Sequence, residues 1–150
     1  MFIKHILCTV KPENKIAFSK AQDMWQKTKE VKGFIGQLGG WNMNSLNEAV
    51  ILSFWQDKSS LDSFMALLHD DIFHKNKQQN TYETIEVSHF NCEEPIHKQT
   101  FLGHIKLAEN LEVVKTMLPL NISFKDNAVY IESEKLENKK IKLINSWKIV

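Results

Sequence analysis

At 150 residues the chain has room for one ordinary domain, or for a domain of about 90–100 residues with an appendage. Apolar residues at 43% and charged residues at 25% suit a globular protein in water, and no apolar run nears the roughly 20 residues of a membrane span. Nineteen basic residues, all of them lysines, are interspersed with eighteen acidic ones, so neither nucleic-acid binding nor chemistry that needs an arginine fork is expected.

The opening "MFIKHILCTV" has a lysine inside its apolar run, meets a Lys-Pro-Glu turn at once and lacks a small-residue cleavage site. It reads as a first strand, Phe2 to Val10, and not as a signal peptide. Cys8 and Cys92 sit in apolar surroundings without a C-x-x-C pair, which favours reduced thiols and a cytoplasmic protein. Pro12 and Glu13 then open a helix whose Phe18, Ala21, Met24, Trp25 and Thr28 recur at three- and four-residue steps. Gly33 falls where that helix needs a C-terminal cap.

Four of the five glycines lie in "GFIGQLGGW", residues Gly33 to Trp41. No helix start follows to aim N–H groups at an anion, so the stretch reads as a cap and a strand that allows close backbone approach. Phe34 to Trp41 and Glu48 to Trp55 form a hairpin across the Asn- and Ser-rich "NMNSLN". In "DKSSLDSFMALL", Ser59 is the expected N-cap of a second helix, with Leu61, Phe64, Met65 and Leu68 on one face. The polar "HDDIFHKNKQQN" is expected to loosen or end it before a fourth strand, Thr81 to Phe90. The order β-α-β-β-α-β is the ferredoxin-like plait.

At "NCEEPIHKQT" the composition turns polar and Pro95 interrupts regular structure, so a linker separates a domain over residues 1–92 from a smaller unit over 101–150. That unit reads β-α-β-β-β: a strand over 101–107, a helix in "ENLEVVKTMLP", then strands in "NISF", "AVYIES" and "KIKLINSWKIV". Fifty residues are thin for independent folding, so packing on the first unit or on a partner chain is expected.

The stretches "VKGFIGQLGGW" and "NEAVILSFWQDKSSLDSFMALLHDDIF" resemble the dimeric α+β barrel superfamily, which includes antibiotic-biosynthesis monooxygenases and haem-degrading monooxygenases. "AFSKAQDMW", "GQLGGWN", "HDDIF" and "NKQQNTYETI" narrow the likeness to the YdbC-like proteins of Bacillus, a group of unknown function. The resemblance covers about residues 1–90. It implies an α+β fold and a homodimer whose two four-stranded sheets close into a barrel, with a ligand cleft between each sheet and its own helices. A second cover also suits the chain itself, because strands such as Ala49 to Trp55 are apolar on both faces. A partner sheet or the C-terminal unit would serve.

Cofactor-independent oxygenation, as the resemblance implies, needs a pocket for a readily oxidised substrate and donors for its anion. A small hydrophobic ligand is the expected occupant. His5, Trp25 and His69 are the candidate catalytic residues, and Trp55, Phe64, His74 and His89 the candidate cleft residues. Trp25, on the apolar face of the first helix, and Trp55, at a strand end, read first as core or dimer packing residues and second as ligand contacts. The haem-degrading members imply an Asn on strand one, a Trp on helix two and a His about ten residues on. Here stand His5, Phe64 and either Lys77 or His74, so no haem and no other cofactor is expected. His69 and His74, five apart, point about 140° apart on an α-helix, so no metal site is expected either. In the superfamily's strand order the first and fourth strands are neighbours. Pairing Phe2 near Phe90 puts His5 and His89 on one face, and Cys8 and Cys92 roughly 20 Å apart, too far for a disulfide. A non-catalytic binding or structural dimer is the alternative.

Overall fold

Residues 1–91, 98–114, 121–125, 128–132 and 139–150 are described by the computed structural model, those between 110 and 139 by their backbone alone. Four antiparallel strands, β1 (Phe2–Thr9), β2 (Phe34–Asn42), β3 (Glu48–Trp55) and β4 (Thr84–Asn91), stand in the order β4-β1-β3-β2. That is the expected plait. Pro12 opens a 3-10 turn that leads into α1 (Lys15–Asp23), and the chain tightens to a 3-10 helix over Met24–Glu30 before Gly33, at φ 81°, turns it into β2. A Cβ on Gly33 would lie 2.1 Å from Ser60 Oγ, so this cap is held by conformation and by space.

The second helix is capped by Asp57, not Ser59: its Oδ1 accepts from the Ser60 N–H at 2.8 Å. Ser59 already lies inside the first turn. The helix runs through α2 (Lys58–Phe64), a π turn (Met65–His69) and α3 (Asp70–Asn76), and stops where Lys77 enters the left-handed region. The expected loosening at "HDDIF" therefore takes the form of a π turn just before it.

The C-terminal segment departs from its expected order. Residues Lys98–Leu107 form a helix, α4, in place of a strand, and Asn110–Val114 form a strand, β5, in place of a helix. The reason is spacing. Phe101, Ile105 and Ala108 are fully buried at helical steps, while Gly103 faces open space. Strands β6 (Asn121–Lys125), β7 (Ala128–Glu132) and β8 (Lys139–Leu143) follow where strands were expected. They extend the first sheet, giving one eight-stranded order β4-β1-β3-β2-β8-β5-β7-β6. No helix among the described residues is long and apolar enough to cross a membrane.

The junction is β2 against β8, with Gly40 opposite Leu143. A Cβ on Gly40 would sit 2.0 Å from the Lys142 carbonyl oxygen. The chain then runs on along β2, exchanging backbone hydrogen bonds between Gln37 and Ile149, and buries Trp147 against Phe18 and Trp41. On the sheet face away from α1 and α2, α4 lies over Ile3, Leu38, Leu52 and Phe54, with the Phe54 and Phe101 rings 4.6 Å apart, edge to face. The face that needed a cover is thus covered over β1–β3 by the chain's own C-terminal segment.

The β1–β4 register corrects two expectations. Phe2 stands opposite Asn91, not Phe90, and that one-residue shift pairs His89 with Lys4 while His5 pairs with Ser88. His5 and His89 therefore occupy opposite faces. Cys8 lies opposite Ile85, at the far end of β1 from Asn91, and Cys92 falls outside the described residues.

Gly40→Ala is expected to cost about 1–3 kcal/mol in urea unfolding, because the added carbon meets backbone. Gly103→Ala, in open space within a helix, is expected to gain up to about 1 kcal/mol.

Candidate functional site

Between the sheet and the α1–α3 side lies a cavity of about 220 Å3. Its floor is the inward face of β1 and β3, where Lys4, Ile6, Ile51, Ser53 and Trp55 alternate with residues of the opposite face. Trp25 and Thr28, from the 3-10 extension of α1, form one wall. Phe64, His69 and Phe73, from the second helix, form another. Met65, Ile85 and Val87 are 36%, 45% and 45% exposed and mark the mouth.

The π turn decides what the second helix presents. On an α-helix Phe64 and His69 would diverge, but i→i+5 geometry brings residues five apart onto one side. Their rings meet edge to face at 5.9 Å. His69 also lies 5.4 Å from the Trp25 ring and stacks on Phe73 at 5.6 Å, which makes it the centre of an aromatic cluster. Its Nδ1 is 2.9 Å from Asp70 Oδ1. Burial holds the imidazole below its ordinary value and outweighs the opposing Asp70 hydrogen bond.

Both indole donors of the cavity are already engaged. Trp25 Nε1 donates to Gln78 Oε1 at 2.7 Å, and Trp55 Nε1 donates to Ser53 Oγ at 3.0 Å. Thr28 Oγ1 is buried in the wall with no hydrogen-bond partner. Cys8, at the inner end, has its thiol pushed up to about 12 by burial and is no nucleophile in this state.

The structure brings Trp25, Trp55, Phe64 and His69 together around one cavity. It does not bring His5 there: alternation along β1 turns that ring to the other face, buried beside Phe90 at 6.4 Å. His74 is exposed on α3, and His89 stacks on Phe2 at the strand end, 5.7 Å between centroids. Among the described residues no three His, Cys, Asp or Glu side chains are grouped as a metal would require.

Sequence reasoning passed over Lys4. It is 8% exposed, on the cavity floor, and its Nζ lies 3.4 Å from Met65 Sδ. The signal was a single charge at an even position in an apolar strand whose other even positions, Ile6 and Cys8, face inward. The register aligns His89, Lys4, Ser53 and Gln37 in one row across β4, β1, β3 and β2, a polar band on an otherwise apolar surface.

The family described as "Domain of unknown function (DUF4937)" matches residues 2–90. The uncharacterised protein YdbC of Bacillus subtilis (strain 168) is 34% identical over 119 residues, 77% of this chain and 99% of that protein. Among solved structures, a Deinococcus radiodurans protein assigned to the antibiotic biosynthesis monooxygenases is similar at a TM-score of 0.55 and 16% identity, over 65% of this chain and 97% of its own. A conserved protein of Methanosarcina mazei Go1 gives 0.54 and 20%, over 62% and 94%. At these identities the structural likenesses establish the ferredoxin-like fold of that group and nothing of its chemistry.

The lowered pKa of His69 sets a pH dependence. An unfolded chain protonates this ring near pH ~6.5, the folded protein only lower, so as pH falls the unfolded state takes the proton first and stability drops. Thermal unfolding from pH 7.5 to 5 is expected to show His69→Gln with a shallower decline than the native protein; parallel curves would refute this.

Proposed function

The chain belongs to the family described as "Domain of unknown function (DUF4937)", and on that premise we propose that it binds a small, flat, mainly apolar molecule in the cavity above β1 and β3. The observation that carries this reading is the cavity walled by Trp25, Trp55, Phe64 and His69. At about 220 Å3 it is smaller than the roughly 300–1,000 Å3 of drug-sized sites, which fits one or two fused rings. Residues 1–92 hold the ligand in this reading, and 101–150 cover the far face of the sheet.

The reaction this reading extends to is oxygenation of the bound ring without a resident cofactor, in keeping with the monooxygenase-like fold. One observation favours simple binding instead. The Trp25 and Trp55 N–H groups, the donors that a developing oxyanion would use, are committed within the protein. A homodimer is implied by the resemblance, but α4 lies where a partner sheet would pack on β1–β3, which favours a monomer closed by its own C-terminal segment.

Calorimetric titration with 2-naphthamide is expected to show one saturable site, lost in Val87→Trp, which blocks the mouth. No binding by the native protein, of this probe or of its carboxylate counterpart 2-naphthoate, would sink the reading. Oxygen uptake with 1,4-dihydroxynaphthalene above the uncatalysed rate separates oxygenase from binding protein. Native mass spectrometry is expected to give a 17.5 kDa species, whereas a doubled mass would restore the homodimer.

A further inference from the structure

We infer that the ligand of this cavity is an organic monoanion, a small aromatic carboxylate whose charge is met by Lys4 Nζ. The inference rests on the cavity reading above and adds the chemical class of its occupant.

The case starts from what surrounds the amine. Lys4 is more than nine-tenths buried, yet the single hydrogen-bond acceptor it reaches among the described residues is Met65 Sδ, a weak one, against the three N–H donors of an ammonium. The lysine ion pairs of the described residues, Lys11–Glu83, Lys58–Asp62 and Lys75–Asp71, all lie at the surface, and none involves Lys4. A buried charge without a counter-charge is costly, and proteins ordinarily answer it with a paired acid or a bound ion. Among the described residues no acid is paired with it.

The neighbours of Lys4 are occupied elsewhere. In its own row, Ser53 accepts from Trp55, Gln37 donates to the Trp147 carbonyl at 3.2 Å, and His89 stacks on Phe2. The other titratable groups on the cavity wall are His69, Cys8 and Tyr82, none of which carries negative charge near neutral pH. One buried cation in an aromatic box matches a carboxylate on a ring. It does not match a phosphate dianion, and the chain has no arginine to hold one.

The test compares 2-naphthoate with its neutral counterpart 2-naphthamide by calorimetry, in the native protein and in Lys4→Met. Naphthoate is expected to bind the native protein at least about tenfold more tightly than the amide, as a charge-assisted hydrogen bond allows. Lys4→Met is expected to keep amide binding, which reports an intact cavity, and to lose the preference. Equal affinities in the native protein, or a preference that survives in Lys4→Met, would overturn the inference and leave the cavity reading standing. Failure of both probes to bind would end both. A second measurement needs no variant. Burial lowers the affinity of Lys4 for its proton and an anion restores it, so in a pH series carried through the range where Lys4 gives up its proton, naphthoate binding should take up protons and amide binding none. Equal uptake across that whole series, read from buffers of different ionisation enthalpy, would count against the inference.

Discussion

The architecture depends on one strand that has no face to give to water. From Ala49 to Trp55 every residue of β3 is buried, so the sheet needs apolar cover above and below. The ferredoxin-like order places both helical layers on one side, where Ile51 and Trp55 meet Phe18, Phe64 and Leu61. The other side, with Val50, Leu52 and Phe54, is met by α4 and by Ile141 and Leu143 of β8. Burying side chains of this size is worth about 1.5–3 kcal/mol each before conformational entropy is counted, so either layer left open would be a large loss.

Covering both faces constrains the backbone of β2. The strand pairs with β3 on one side and takes β8 and the last residues of the chain on the other, and it needs glycine at Gly40 because the Lys142 carbonyl occupies the space of a side chain. The glycine-rich stretch is thus an architectural seam. The cavity lies across the sheet from α4, where aromatic side chains of the α1 and α2 side leave space above the floor.

The plait was legible in the sequence because its signals are local. Pro12, Gly33, the "NMNSLN" turn and period-two or helical apolar spacing fixed the elements of residues 1–91 to within a few positions. Three features were not. The β1–β4 register differs by one residue from the pairing assumed, and no local signal encodes such a shift, yet it separates His5 from His89. The π turn carries no sequence mark, yet it sets His69 against Phe64. In "FLGHIKL", apolar residues suit either a strand or a helix, and the choice is made by what α4 packs on, a tertiary effect. Within the site, aromatic residues were readable as a group, whereas Lys4 counted only against a signal peptide, because a lone lysine in a strand ordinarily points to solvent.

The pairing of Gly40 with Leu143 joins positions about a hundred residues apart in the chain. A ribosome therefore releases the whole plait before its far cover exists, and for that interval Leu52, Phe54 and Ile3 present a bare apolar sheet. Such non-local closure is slow relative to helix and hairpin formation, and nascent sheets with an open face attract one another. The lysines and acids scattered over the remaining surface then have a kinetic part to play, keeping incomplete chains apart until the last fifty residues arrive.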